Sequence, residues 1–341
     1  MNLRSLLIVS LAALALVACS STEKKSKSND GNLCEPAATE VPECTGSESR
    51  FQVMAKINIA EANDDGSVPG FDLDCRSDAS CKCKTEDGPD GGTVSTCEDY
   101  TSPTGAAGID NQFSRLAPDL DTIFNIGDKI QENIEEGDLI ILLEMQNLDA
   151  ATIDSTTNDE CVTLEVYLGF IPNGGEPLLA NGGLAPEQTF DLDNRSFDGN
   201  TAKIRFGGKI TNGKLEAGPA TIPLSLPVGS SEIELNIQDG RLTATFDGDR
   251  LKDGLIGGVL DIEELVASVE AIEDYATLGT TLRPILKKFA DMNAAGDDNL
   301  CSAVSLGIEY ETVVALRGEK GDKPPKADAS VEEDDAGTDA N

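Results

Sequence analysis

The chain is predicted to be α+β and mainly β, an antiparallel meander or sandwich-like sheet with packed helices at about 116–136, 261–275 and 281–294. Three observations carry this. Apolar residues alternate with polar ones in several closely spaced segments, short turn signals separate those segments, and three further stretches carry apolar residues at helical spacing.

In chain order, Phe51, Val53, Ala55, Ile57 and Ile59 alternate with Gln52, Met54, Lys56 and Asn58, a half-buried strand with which the fold begins. Residues 61–110 are rich in Asp, Gly, Ser and Cys and poor in large apolar groups, which predicts a long crosslinked loop. Leu116, Leu120, Ile123, Ile130 and Ile134 lie on one helical face, and Gly137 supplies the stop. Leu139 to Leu143 is a continuous apolar run, suited to a strand covered on both faces.

Val162, Leu164, Val166, Leu168 and Phe170 then alternate with Thr163, Glu165 and Tyr167. The same period recurs at Ile204 and Phe206, at Ile222, Leu224 and Leu226, at Ile233, Leu235 and Ile237, and at Leu242, Ala244 and Phe246. Asn212-Gly213, Pro227 to Ser230 and Asp239-Gly240 are read as the turns between them. Ile262, Leu265, Val266, Val269 and Ile272 mark one helix, and Leu282, Ile285, Leu286, Phe289 and Met292 a second, with Pro284 placed in its first turn. Val304, Leu306, Ile308 and Tyr310 close the domain as a strand running towards Leu316.

The ends differ in kind from this body. Met1 to Ser5 holds one Arg, Leu6 to Val17 is a short apolar core, and Ala18 is a small residue before Cys19, the pattern of a secretory leader too short to span a membrane. Leu16-Val17-Ala18-Cys19 resembles the bacterial lipoprotein signal. The resemblance implies a signal peptide over 1–18, a diacylglyceryl (palmitate-type) anchor on Cys19, and, with Ser20 rather than Asp next, sorting to the outer membrane. Residues 19–50 are expected to be the acylated cysteine and a flexible tether, 51–317 the globular domain, and 318–341 a disordered acidic tail.

With 62 acidic against 26 basic residues the net charge is -36, which disfavours nucleic acid as a partner. There is no His, so Ser-His-Asp and Cys-His catalysis and His-ligated zinc are excluded; there is no Trp, and stacking platforms for sugars are thin. No nucleophile elbow, P-loop or dinucleotide fingerprint is present.

Setting Cys19 aside, Cys34, Cys44, Cys75, Cys81, Cys83, Cys97, Cys161 and Cys301 form an even set, expected to be disulfides in an oxidising compartment. Cys34 and Cys44 are expected to close a small loop, Cys81 and Cys83 to pair with Cys75 and Cys97, and Cys161 to bridge Cys301. The C-x5-C-x-C-x13-C spacing lacks the knuckles of common zinc sites.

Asp72 and Asp74, in Gly70-Phe71-Asp72-Leu73-Asp74, and Asp110-Asn111 offer oxygen ligands of the kind Ca²⁺ takes, with Asn63-Asp64-Asp65-Gly66 a third acidic turn. The two pieces look like a split Asp-rich calcium loop. They also resemble a G-F-D-L-D and I-D-N pairing in predicted bacterial outer-membrane lipoproteins of unknown activity; residues 75–107 interrupt that pairing here. The expected role is a lipid-anchored, non-catalytic binding or structural module of the cell envelope. The alternatives are a carboxylate-dependent glycan or peptidoglycan hydrolase and a calcium-stiffened adhesion module.

Overall fold

The computed structural model describes residues 41–76, 83–84, 98–124, 126–228, 231–293 and 300–324. Nine strands form the large sheet: β1 (Glu48–Ile59), β2 (Ile140–Leu148), β3 (Asp159–Phe170), β4 (Gln188–Asp193), β5 (Ile204–Thr211), β6 (Lys214–Val228), β7 (Ser231–Asp247), β8 (Arg250–Asp261) and β9 (Ala303–Gly321). All but β4 pair antiparallel in the order β1-β2-β3-β5-β6-β7-β8-β9, and β9 pairs back onto β1. The meander therefore closes into an eight-stranded barrel, which leaves no open edge along the wall. Short β4 lies outside the circle, parallel to the end of β9 and antiparallel to the end of β3.

Register explains why the inside is apolar. Ile59 faces Ile308, Ile308 faces Ile256, and Ile256 faces Leu242, a row of aliphatic pairs crossing four strands. Val166 pairs with Ile204, and Ile141 with Leu168, in the same manner.

Asp239-Gly240 is a correction to the expected turn. β7 runs unbroken through it as a bulge, Asp239 adopting φ +49°, and the register shifts between Gln238 and Arg241. Ile237 and Leu242 are an odd number of positions apart, so a regular strand would put them on opposite faces; the extra residue lets both line the barrel interior and turns Arg241 to the outer wall. Asn212-Gly213 is a tight turn as expected, with φ of +50° and +73°.

The two ends of the barrel are unlike. Tight connections join β5 to β6 and β7 to β8 at one end. At the other, where β1 and β8 finish, sit two helical insertions: α1 (Phe113–Phe124) and α2 (Ile126–Glu135) before β2, and α3 (Ile262–Glu270) and α4 (Gly279–Lys288) before β9. The helix expected over 116–136 is thus two helices, with Pro118 inside the first, and the 261–275 helix stops at Glu270 before a 3₁₀ turn at Glu273–Tyr275. Pro284 falls in the second turn of α4, not the first.

Two disulfides tie distant parts together and replace the pairings expected from spacing. Cys44 bonds Cys161, so neither Cys34–Cys44 nor Cys161–Cys301 forms, and Cys83 bonds Cys301 rather than Cys75 or Cys97. Strand order is the cause: β1 lies beside β2 and β2 beside β3, which brings the chain before β1 to the start of β3, and the pairing of β1 with β9 brings the Cys-rich loop to the start of β9. Cys75 is also disulfide-bonded. Cys19, Cys34, Cys81 and Cys97 lie outside the described residues, as do 1–40, including the leader and most of the tether, and 325–341 of the tail. The first strand begins before residue 51, at Glu48, and β9 continues past 318 to Gly321. No helix among the described residues is long and apolar enough to cross a membrane.

Candidate functional site

Two regions stand out, one inside the barrel and one on its outer wall. Inside is a cavity of about 260 Å³ lined almost wholly by aliphatic side chains, Ile141, Val166, Ile256, Leu260 and Leu306 deep within it and helix residues Ile130 and Leu286 over the end. Among the described residues its lining contains no carboxylate. Lys129 and Pro223 also line it and are exposed, so it reaches solvent between α2 and the far half of β6.

Protein interiors are packed like organic crystals, with few voids larger than a water molecule. An apolar space of about 260 Å³ is far larger than such a void. An eight-stranded barrel is the size at which side chains either fill the interior or leave room for one small ligand. Here the side chains leave room.

On the outer wall of β7, β8 and β9, Arg241, Gly257 and Gly307 form an in-register row. The Gly70–Asp74 loop lies flat on it. A Cβ on Gly257 would come within 2.2 Å of the Phe71 ring, and one on Gly307 within 2.6 Å of Asn111 Nδ2, so only glycine admits the loop this closely. Phe71 and Leu73 pack there with Val259 and Ala303.

This seat brings together the predicted ligands Asp72, Asp74 and Asp110, each offering a carboxylate oxygen within 4.8 Å of the others. Asp110 Oδ2 accepts from Leu73 N at 2.6 Å and Asp74 N at 3.1 Å, while Arg76 N donates to Asp72 Oδ1 and Asp74 Oδ1. Burial, then repulsion from Asp74, raises Asp72 to about 6, and burial with repulsion from Asp74 and Asp291 holds Asp110 well above the usual carboxylate range.

Sequence reasoning missed two members. Asp291 is buried on Ser305, accepting from its N at 2.8 Å and its Oγ at 2.5 Å, and burial raises it to about 7. Buried Arg241 donates to the Asp72 carbonyl oxygen at 3.2 Å, and desolvation lowers its pKa. Asp291 offered no motif, and the bulge that aims Arg241 reads as a turn.

Asn111 is hydrogen-bonded through both ends of its amide. Its Nδ2 donates to Pro69 O and Ala60 O, and its Oδ1 accepts from Ser114 N as a cap at the start of α1. In the third acidic turn, Asp65 Oδ1 accepts from Ser67 N and Oγ, a self-contained Asx turn.

A further pair of carboxylates meets on β2 and β3. Tyr167 Oη donates towards both Glu144 and Glu165; Arg317 pairs with Glu144, and Arg205 with Glu165 at 3.1 Å. Burial pushes the Tyr167 hydroxyl well up. With the fold and both regions described, the comparisons add no relative: no protein family, no curated protein and no solved structure matches this chain.

Proposed function

We propose that the protein is a lipid-anchored, non-catalytic module of the cell envelope that holds an apolar ligand inside its barrel. The aliphatic cavity is the observation that carries this reading. The resemblance of Leu16 to Cys19 to a lipoprotein signal supports the anchor and, with Ser20, the outer membrane. A chain without His, whose cavity lining among the described residues has no carboxylate, supports binding over hydrolysis. The pairing of Glu144 and Glu165 each with an arginine, and their shared Tyr167 hydroxyl, supports reading them as a structural network rather than an acid and base pair.

The test is titration with 1-anilinonaphthalene-8-sulfonate. One saturable site per folded chain, with blue-shifted emission, is expected; no saturable site on the folded protein would overturn the reading.

A second reading adds metal. Convergence of Asp72, Asp74 and Asp110 within 4.8 Å fits common contact with one Ca²⁺ at about 2.3–2.6 Å, and raised carboxylate pKa values are what a cation would relieve. Calcium would then stiffen the loop on the wall. Calorimetric titration of chelator-washed protein should show heat and a raised melting temperature; the absence of both contradicts it.

A further inference from the structure

We infer that the cavity takes a single fatty acid, inserted methyl end first, with its carboxylate at the rim beside Lys129 and Asn133. This rests on the ligand-binding reading above and adds the ligand's chemistry. The aromatic residues of the lining are Phe113, Tyr167 and Tyr275 and the chain has no Trp, so the walls present aliphatic branches rather than flat faces on which ring systems stack. Aliphatic walls accommodate a flexible hydrocarbon chain.

Polarity is confined in a way that matches one polar end. Among the described residues Lys129 is the charged one of the lining, and Asn133 follows it by one helical turn on the same face of α2. Exposure is graded along the path: Lys129 is exposed, Leu224, Leu235 and Leu265 are half-buried, and Ile256 and Leu260 are buried. Lys129 currently pairs with Glu132 on its own helix, an exposed pair that a ligand carboxylate replaces at little cost. The acyl chain then fills volume that the packed helices and strands leave empty.

The experiment is displacement of bound 1-anilinonaphthalene-8-sulfonate from the full-length chain, kept soluble in a fluorinated surfactant, by saturated fatty acids of increasing length. Affinity should rise about fourfold per added methylene until the cavity is full, then level off. Dye that binds one to one but yields to no fatty acid overturns this inference and leaves the binding reading standing; dye that never binds removes both. Lysophosphatidylcholine of equal chain length should compete more weakly, and equal competition would overturn the carboxylate end. Lys129→Gln should weaken decanoate about three- to fivefold and leave 1-decanoylglycerol unchanged, whereas an equal loss for both would contradict the placement of the head group.

Discussion

The two faces of the same wall have opposite characters. Inward, Ile256 and Ile308 join an apolar row around a space that none of the described residues fills; outward, the neighbouring Gly257 and Gly307 give up their side chains so that a polar loop can bury Asp74 and Asp110 and half-bury Asp72. One residue of register separates an apolar container from a crowded acidic seat. The inner region is defined by missing volume and gains from an apolar occupant. The outer one is defined by concentrated charge and gains from protons or a cation.

That contrast breaks most readily at the crosslink beside the seat. Cys83–Cys301 spans 218 residues of sequence, so Cys301→Ser with Cys83→Ser should cost about 2–5 kcal/mol in denaturant unfolding. Dye binding inside the barrel should survive under native conditions, and its loss in still-folded protein would show that the two regions are not separable.

Asp110→Ala comes next, at about 2–4 kcal/mol, because it strands the buried Leu73 and Asp74 amides. Asp110→Asn keeps an acceptor while removing a charge, so it should cost far less and abolish any calcium response. Equal losses for the two would show that charge, not hydrogen bonding, holds the loop.

The pH dependence has a fixed sign. Asp72 and Asp291 titrate at about 6 and 7 in the folded state against 3.8 as the reference value. Folding therefore favours their protonated forms; that stabilisation is fully present below the unfolded value and is lost as pH rises through 6 to 7. In chelator the melting temperature should fall by several degrees, on the order of 5 °C, between pH 5 and pH 8. Calcium should flatten that slope, and a chelated protein more stable at pH 8 than at pH 5 contradicts the account of the seat.

The smallest effect belongs to the lumen. Ile256→Phe adds volume where a packed core would resist by about 1–3 kcal/mol, but beside open space it should change stability by less than about 1 kcal/mol while weakening dye binding at least tenfold. A full overpacking cost with unchanged binding would mean that the space lies elsewhere.

Much of the wall was legible in the sequence. The alternation of β1, β3 and β9 is strong because each has one face towards the interior, and the Asp72, Asp74 and Asp110 grouping follows from residue type and spacing. β8 was not legible, since Gly254, Gly257 and Gly258 interrupt its alternation: Gly257 makes room for Phe71 from a loop far away in sequence, while Gly254 and Gly258 lie against Tyr310 and Ile237 of the neighbouring strands. Short β4 escaped for want of length. Closure depends on β1 meeting β9 across most of the chain, which no local pattern encodes, and the Cys83–Cys301 bridge follows from closure. The cavity was invisible for a simpler reason: Ile256, Leu260 and Leu306 read the same whether they fill a core or line a hollow one.

The most direct measurement is an isotope-filtered nuclear Overhauser experiment with decanoate bound to methyl-labelled protein. Cross-peaks from the ligand chain to the methyl groups of Ile256, Leu260 and Leu306 are predicted. Contacts to the exposed Leu178, Leu179 and Leu316 alone, with none to those interior methyls, would contradict the barrel as a container.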